Sequence, residues 1–320
     1  TEITCDTTID RQQPDFLSSI PPVQLVFFSN QLILYPKKGF LMKLWFPALH
    51  CLTFFLIPGI SGFSATALEL TAEPWISHPD HGRVTVNFIS DQPSGGALDY
   101  RKRREDDWQR RYDLFAGQIV TDRREHRITL AGSPGEIYEF RTVLIDPADR
   151  NHEVPAANPG TVTLPGPATR DYSFFVVSDL QFPAEREREL LQKLGSLADF
   201  PSCAFGVTLG DMSMSFDTVE EDIFAKWLTP LSRACPSTPL VMVRGNHEWR
   251  GRAASEWVRL LGEPERRTPY FAFRFGQDFF IVLDSGEDKP DNWPGHSYTA
   301  FHCSADYRHE QRRWLQSVVE

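Results

Sequence analysis

The stretch that decides the fold is LVMVRGNHE, residues 240–248, where a short apolar run gives way directly to polar residues. Residues 240–243 form an uninterrupted apolar run, which is typical of a strand buried on both faces. The polar element that follows is Gly245-Asn246-His247-Glu248. An amide, an imidazole and a carboxylate therefore stand together at the end of a predicted strand.

Two earlier segments of the chain repeat this arrangement. The apolar residues 174–177 lead into Ser178-Asp179-Leu180-Gln181, and the predicted strand 204–209 leads into Gly210-Asp211-Met212. Asp211 follows Asp179 by 32 residues and precedes Asn246 by 35 residues. Each gap holds one predicted helix and one predicted strand, so the three polar clusters occur at corresponding points of a repeated strand–helix pattern.

The rest of the C-terminal part continues the alternation of strands and helices. The amphipathic segments 184–197, 219–231 and 253–261 predict helices, and a final helix is predicted over 306–319. Two adjacent strands are predicted at residues 270–275 and 279–283. Such alternation predicts an α/β fold with right-handed crossovers and a largely parallel sheet. The carboxyl ends of its strands meet at one crevice, where ligands bind in such sheets.

Each polar cluster has an ordinary structural interpretation when it is taken alone. Asp179 would cap a helix, Gly210-Asp211 and Gly245-Asn246 would form turns, and His247 would be a hydrogen-bonded structural histidine. Their joint occurrence after three successive buried strands favours a metal site instead. Carboxylates and amides mixed with imidazole suit Mn, Fe, Zn or Mg rather than soft-metal thiolate chemistry.

These motifs resemble the calcineurin-like metallophosphoesterase family, and the resemblance covers residues 172–320. It implies a β-sandwich flanked by helices, with two divalent metal ions at the strand ends. Asp179 and Gln181 would bind the first metal, Asp211 would bridge both metals, and Asn246 would bind the second. His247 would be catalytic, at the phosphoryl oxygen or the leaving group. A hydroxide bridging the metals would attack phosphorus. Glu248 would orient His247 or cap the following turn.

The sequence departs from the family pattern at several points. Gln181 stands where the family usually has His, and Met214 stands where purple acid phosphatases have Tyr. The family has a further His and then a Gly-His-x-His element, and we expect these beyond Glu320, in a C-terminally truncated domain. Residues 295–298 read Gly-His-Ser-Tyr, which we interpret as a chance match in a loop. His302 and His309 have no motif support.

Residues 68–167 predict a small all-β domain. Alternating apolar and polar residues predict strands at 83–89, 97–100, 126–130 and 136–144. Turns are predicted at Gly95-Gly96, at residues 132–135 and at Asp146-Pro147. The segment around residues 130–141 resembles the late strand pair of a fibronectin III-like domain, as in the purple-acid-phosphatase-like architecture. Residues 154–169, rich in Pro and Gly, predict a linker to the phosphoesterase segment 170–320.

The first 67 residues predict targeting rather than fold. Residues 42–67 have a positive start, an apolar stretch at 44–60 and a terminal Ala65-Thr66-Ala67, which fits a cleaved signal peptide. Lys37, Lys38 and Lys43 would also suit a signal anchor. Either way we expect an exported protein, periplasmic, extracellular or surface-anchored. Residues 1–41 are an upstream extension, interpreted as non-native, with a cytoplasmic tail before an anchor as the alternative.

Composition limits the partners. The 320-residue chain carries a formal net charge of −10, which repels nucleic-acid backbones and anionic lipid. We therefore expect no nucleic-acid binding, and membrane contact only through the signal or anchor. Cys203 and Cys235 would form one disulfide, or the three later cysteines would be small buried hydrophobes.

The leading hypothesis is a metallophosphoesterase, a phosphomonoesterase or phosphodiesterase, acting on a phosphate-ester substrate. The alternative is a non-catalytic extracellular binding protein with a degenerate or truncated phosphoesterase scaffold. Hydrolysis that requires metal would distinguish the two.

Overall fold

The computed structural model describes residues 23–25, 68–156, 158–197, 200–291 and 302–320. The predicted signal or anchor at 42–67, the upstream extension apart from 23–25, and the Gly-His-Ser-Tyr element at 295–298 lie outside these residues. Residues 68–320 belong to one compact unit. Within the described ranges, no helix is both long and apolar enough to cross a bilayer.

The N-terminal half of the described chain is built from strands. Val23–Leu25 forms β1. The strands that follow are β2 (Trp75–Asp80), β3 (Arg83–Lys102), β4 (Gln109–Tyr112), β5 (Leu114–Phe115), β6 (Gln118–Ile119), β7 (Arg123–Ala131), β8 (Ile137–Ile145), β9 (Glu153–Pro155) and β10 (Gly160–Thr163). The predicted strands at 83–89, 97–100, 126–130 and 136–144 are confirmed in β3, β7 and β8, apart from the first residue of the last one.

The predicted turn at Gly95-Gly96 is wrong, because β3 runs through both glycines. They pair with Ile145 and Leu144 of β8. A Cβ on Gly96 would lie 2.4 Å from the ring of His126, so glycine is required here by close side-chain packing rather than by a turn. The register of β3 against β7 shifts between Ile89 and Ser94, and its pairing then passes to β4 and β8. One long strand thus serves both parts of the sandwich, through a bulge.

The predicted linker at 154–169 is partly wrong. β9 overlaps its start, and β10 lies within it, and both strands pair with β8. Gly160 lies against the ring of Phe140, where a Cβ would approach to 2.4 Å. Proline and glycine are tolerated here because these are edge strands of the sheet.

The C-terminal half alternates strands and helices as predicted. Its elements are β11 (Phe174–Val177), α1 (Ala184–Gly195), β12 (Phe205–Thr208), a π-helix (Glu220–Leu228) continuing into α2 (Thr229–Ala234), β13 (Leu240–Met242), α3 (Ala254–Leu261), β14 (Phe271–Phe275), β15 (Asp278–Val282) and α4 (Ser304–Val319). Short 3₁₀ turns lie at Phe200–Ser202 and His247–Trp249.

Two packed layers of strands form the centre of this half. β11, β12 and β13 are parallel neighbours, whereas β14 and β15 form an antiparallel pair in a separate sheet with β1. Phe205, Val207 and Val241 of the first sheet pack with Phe273 and Phe280 of the second. The helices cover the other face of the first sheet, where Trp227 and Trp257 are buried in a second cluster. The fold is therefore mixed α/β, with strands that are apolar on both faces.

The sheet crosses the predicted domain boundary. Ser77 of β2 pairs in parallel with Leu240 of β13, so β2 connects the strands of both halves in the order β10-β8-β3-β2-β13-β12-β11. Trp75 of β2 is buried in the same cluster as Trp227. The boundaries 68–167 and 170–320 remain a prediction.

The predicted disulfide between Cys203 and Cys235 is not formed in the part of the chain that the structure describes. Cys235 is buried, as the alternative interpretation expected, but Cys203 is only half-buried and Cys303 is exposed.

Candidate metal centre

The loops after β11 and β12 place their aspartates in an unusual backbone conformation. Asp179 has φ of 58° and Asp211 has φ of 55°, in the left-handed region that non-glycine residues rarely adopt. Such strain costs about 1–3 kcal/mol per residue and persists where the surroundings enforce it. The amide of Asp179 donates to the carbonyl oxygen of Gly210 at 3.2 Å. The first two strand ends therefore meet, as the sequence predicted.

The third strand end contacts the second through Asp211. The amide of His247 donates to Asp211 Oδ1 at 3.0 Å. The Asn246 side chain is best paired when Nδ2 donates to Asp211 Oδ2 at 3.1 Å and its oxygen accepts from Arg250 Nη2 at 2.7 Å. In the opposite orientation Nδ2 faces Asp288 Oδ1 at 3.4 Å. The amide oxygen would then face Asp211, which is the orientation that a cation between them would select.

Glu248 has a structural role that the sequence did not predict. Its carboxylate accepts hydrogen bonds from three backbone amides, those of Asp211, Met212 and Gly245, each at 2.9 Å. Neither predicted role, orienting His247 or capping the following turn, describes this arrangement. Glu248 instead ties the loop after β12 to the loop after β13. Burial raises the pKa of Glu248 to about 7, and the charge of Asp211 adds to the increase.

Two glycines allow these loops to approach each other. A Cβ on Gly210 would lie 2.3 Å from the nitrogen of Gly245, and a Cβ on Gly245 would lie 2.3 Å from Asp211 Oδ1. Gly210 also has φ of 86°. The Gly-Asp and Gly-Asn motifs are therefore explained by a close backbone crossing.

His247 is held in one orientation. Its Nδ1 lies 2.7 Å from the carbonyl oxygen of Met214, which can only accept, so Nδ1 carries the hydrogen. Arg250 Nη1 lies 2.9 Å from Nε2 and 3.1 Å from Nδ1, so it contacts both ring nitrogens. The side chain is buried, so the ring has little freedom to turn.

Sequence reasoning missed the cluster around Arg250. Its guanidinium forms a two-point ion pair with Glu287, at 2.9 Å from Nε and 2.8 Å from Nη2, and contacts Asp288 Oδ1 at 3.1 Å. The signal was present, because Arg250 follows His247 by three residues and Glu287-Asp288 follows the predicted strand 279–283. The cluster places the Arg250 guanidinium, paired with two carboxylates, beside His247 and Asn246.

The structure brings together some of the predicted site residues and not others. Asp211, Asn246 and His247 are in direct contact, and Asp179 adjoins them through its backbone. The exposed side chain of Asp179 accepts from Ser178 Oγ. Gln181 is half-buried, and its side chain forms no hydrogen bond with any described residue.

A partial set of cation ligands results. Among the described residues, no three His, Cys, Asp or Glu side chains gather as a metal-binding group. The predicted donors are two carboxylates and two amides, which suit hard divalent cations. His302 lies apart from them, with Nδ1 at 3.1 Å from Asp291 Oδ1.

No curated protein matches the chain. Similar solved structures include a myokine (16% identity, TM-score 0.23, 29% of this chain and 97% of that chain). They also include the third fibronectin III domain of a human protein (15%, 0.24, 36% and 98%). A third is a carbohydrate-binding module family 56 β-1,3-glucan binding domain (15%, 0.20, 29% and 96%). The family model for calcineurin-like phosphoesterase matches residues 172–316, a segment that includes all five predicted site residues.

Proposed function

We propose that the chain hydrolyses phosphate esters with the help of two divalent cations. The family match supports phosphoester hydrolysis that depends on metal. The observation that carries the proposal is the contact of Asp211 with the Asn246 side chain and the His247 backbone, fixed by Glu248 across two strand-end loops.

The residues available for the cations are those at the strand ends. Asp179, Gln181 and Asp211 would hold one cation, and Asp211 and Asn246 would contribute to holding the second. When bound, the two cations would lower the pKa of a water molecule between them and neutralise negative charge on the phosphoryl oxygens. Asn246 would contribute a ligand by turning its amide oxygen toward Asp211. Its Nδ2 then donates a hydrogen bond to Asp288 Oδ1.

His247 and Arg250 would act on the phosphoryl group itself. The Met214 carbonyl holds His247 Nδ1, and Arg250 Nη1 lies close to both ring nitrogens. We expect the phosphoryl oxygens to accept hydrogen bonds from Arg250 Nη1. His247 Nε2 would then be able to take up a proton from solvent and to donate it to the leaving-group oxygen.

The test is hydrolysis of an aryl phosphate by the chain with added Mn²⁺. We expect activity that is lost with EDTA and that falls by about 10³-fold in Asp211→Asn, which removes a charged ligand. The control is Asp217→Asn, because Asp217 is exposed and lies outside the predicted ligand set. Activity that persists in EDTA, or an Asp211→Asn variant as active as the parent, would exclude this mechanism.

A second candidate is a non-catalytic extracellular binding protein. It is favoured by the incomplete ligand set among the described residues and by the Arg250 cation beside Asn246 and His247. Calorimetric titration with Mn²⁺ discriminates the two. Absence of both metal binding and hydrolysis would support the binding protein, whereas metal binding lost in Asp211→Asn would support the enzyme.

We further propose that residues 68–167 act as a fibronectin III-like sandwich and that the protein is exported through residues 42–67. The apolar segment followed by Ala65-Thr66-Ala67 supports export. N-terminal sequencing of the protein from its native host should give a start near Leu68. An intact segment 42–67 in a protein that stays inside the cell would contradict export.

A further inference from the structure

A cavity of about 420 Å³ lies between the sandwich and the segment around α3. Its lining includes four arginines and two apolar residues, Arg123, Arg127, Arg259, Arg267, Leu114 and Phe115. None of the five predicted site residues lines it. The volume is in the range of small-molecule sites, about 300–1,000 Å³.

Two of the four arginines are neutralised within the lining. Arg123 Nη2 lies 2.8 Å from both carboxylate oxygens of Asp113. Arg259 forms a similar pair with Glu125, at 2.8 Å and 3.1 Å. These ion pairs are complete, so they leave no net charge for a ligand.

Arg127 is the first of the two remaining cations. It donates to Asn87 Oδ1 at 3.2 Å, to the carbonyl oxygen of Arg259 at 3.1 Å and to that of Gly262. All three acceptors are neutral. Burial lowers the pKa of Arg127 to about 10, and the charge of nearby Glu263 partly offsets the decrease.

Arg267 is the second arginine of the lining without a carboxylate partner among the described residues. Its side chain forms no hydrogen bond or ion pair with any described residue, and its backbone has φ of 54°. The remaining carboxylate of the lining, Glu265, lies 3.5 Å from Arg83, which is outside the lining and also pairs with Asp80 at 3.0 Å. The four arginines of the lining therefore outnumber its carboxylates by one, in a chain whose formal net charge is −10.

The rim of the cavity is apolar. Leu114 is 54% exposed and Phe115 is 76% exposed, and both lie on the short β5–β6 hairpin. Large apolar side chains displayed beside a polar cavity are typical of a ligand site. A ligand that contacts both features has an anionic end and an apolar end.

We propose that this cavity binds a small phosphate monoester that carries an aromatic or apolar group. The two guanidinium groups of Arg127 and Arg267 match the dianionic phosphate in charge and in planar hydrogen-bonding geometry. Phe115 and Leu114 cover the apolar group. Arg127 also holds the carbonyl groups at the end of α3, so its position is fixed before the ligand arrives.

The experiment is a calorimetric titration of the chain with phenylphosphonate, which is not hydrolysed, in the presence of EDTA. We expect one saturable site, weakened about 10-fold or more in Arg267→Gln because one of two phosphate contacts is lost. Phe115→Ser should weaken phenylphosphonate about 5-fold and leave methylphosphonate unchanged. Arg252→Gln is the matched control, because Arg252 is exposed and lies outside the lining.

Three results would overturn the proposal. These are no saturable binding, equal affinity of Arg267→Gln and the parent, or equal affinity for the monoanion benzenesulfonate. The Asp211→Asn variant should bind phenylphosphonate normally, and a loss of binding there would place the anion at the strand-end loops instead. Because Arg267 has no side-chain partner among the described residues, circular dichroism should show Arg267→Gln folded.

Discussion

The histidine–aspartate contact of the sandwich and the one at the strand ends differ in what surrounds them. In the sandwich, His126 Nδ1 lies 3.0 Å from Asp113 Oδ2 and Nε2 lies 3.1 Å from Ser94 Oγ. At the strand ends, the amide of His247 donates to Asp211 and the ring contacts Met214 and Arg250. His126 and Ser94 are fully buried, whereas Asp211 is only half-buried.

The comparison shows that residue types at hydrogen-bonding distance do not by themselves make a site. The Ser94–His126–Asp113 chain has the residue types of a hydrolytic triad, but Ser94 also contacts Ser90 and Arg123 neutralises Asp113. Ser94, His126 and Asp113 all have hydrogen-bond partners inside the core, so the cluster stabilises the sandwich. At the strand ends the loops are held by backbone amides that donate to Glu248, and the side chains of Asp179, Asp211 and Asn246 remain at least partly exposed.

Among the variants that test this comparison, the largest effect is expected from Glu248→Gln. The amide group of Gln would set a donor against the backbone amides that Glu248 now accepts from, so the two loops would separate. We expect kcat for an aryl phosphate to fall about 100-fold and the free energy of unfolding to fall by about 3 kcal/mol. Urea unfolding and steady-state kinetics measure the two effects. Glu221→Gln, at an exposed residue, is the control. An unchanged kcat in Glu248→Gln would show that Glu248 does not hold the two strand-end loops in their active arrangement.

Asp113→Asn tests the sealed cluster. It leaves Arg123 without its carboxylate, and we expect the free energy of unfolding to fall by about 3 kcal/mol. Because the cluster lies away from the strand ends, kcat per folded molecule should stay at the value of the parent. Urea unfolding with activity measured on the folded fraction distinguishes the effects. A large fall in kcat at unchanged stability would show that the sandwich cluster is more than structural.

A third carboxylate, Glu187, sharpens the contrast because it has neither amides nor an arginine. It is fully buried, neither oxygen has a hydrogen-bond partner among the described residues, and Lys226 Nζ lies 3.6 Å away. Burial raises the pKa of Glu187 to about 8, which Lys226 only partly offsets. The folded state therefore keeps this proton at pH values where the unfolded state has lost it, and stability falls as pH rises from about 4.5 to 8.

The variant that tests this is Glu187→Gln, which cannot titrate. Between pH 5 and pH 8 we expect the parent to lose about 2 kcal/mol more of its free energy of unfolding than the variant loses. Urea unfolding at several pH values gives the slopes. Glu189→Gln, exposed on the same helix, should keep the slope of the parent. Identical slopes for the parent and Glu187→Gln would show that Glu187 does not control this pH dependence.

The sequence located the strand ends well because buried parallel strands appear as continuous apolar runs. β11, β12 and β13 end within one residue of the predicted positions, and the polar loops follow at once. The resemblance then proposed the residues of the site. What could not be predicted depends on contacts between distant parts of the chain.

Three examples show the reason. Glu248 binds the amides of residues 36 and 37 positions earlier, and Arg250 pairs with Glu287, 37 positions later. Gly95-Gly96 was predicted as a turn because paired glycines are typical of turns. The actual reason for Gly96 is its contact with His126 in another strand, which the local sequence does not reveal. The left-handed backbone of Asp179 and Asp211 has only a weak signature in residue type, since aspartate is enriched in that region but most aspartates avoid it.

The continuous sheet has a consequence for how this chain could be shortened. Removing everything before Arg170 would strip β2 from the edge of β13 and leave its backbone donors and acceptors open to another copy of the chain. It would also remove Trp75 from the layer beneath Phe224, where the two rings lie 5.7 Å apart. A chain that began at Arg170 would therefore lack one neighbouring strand and one buried ring of its C-terminal half.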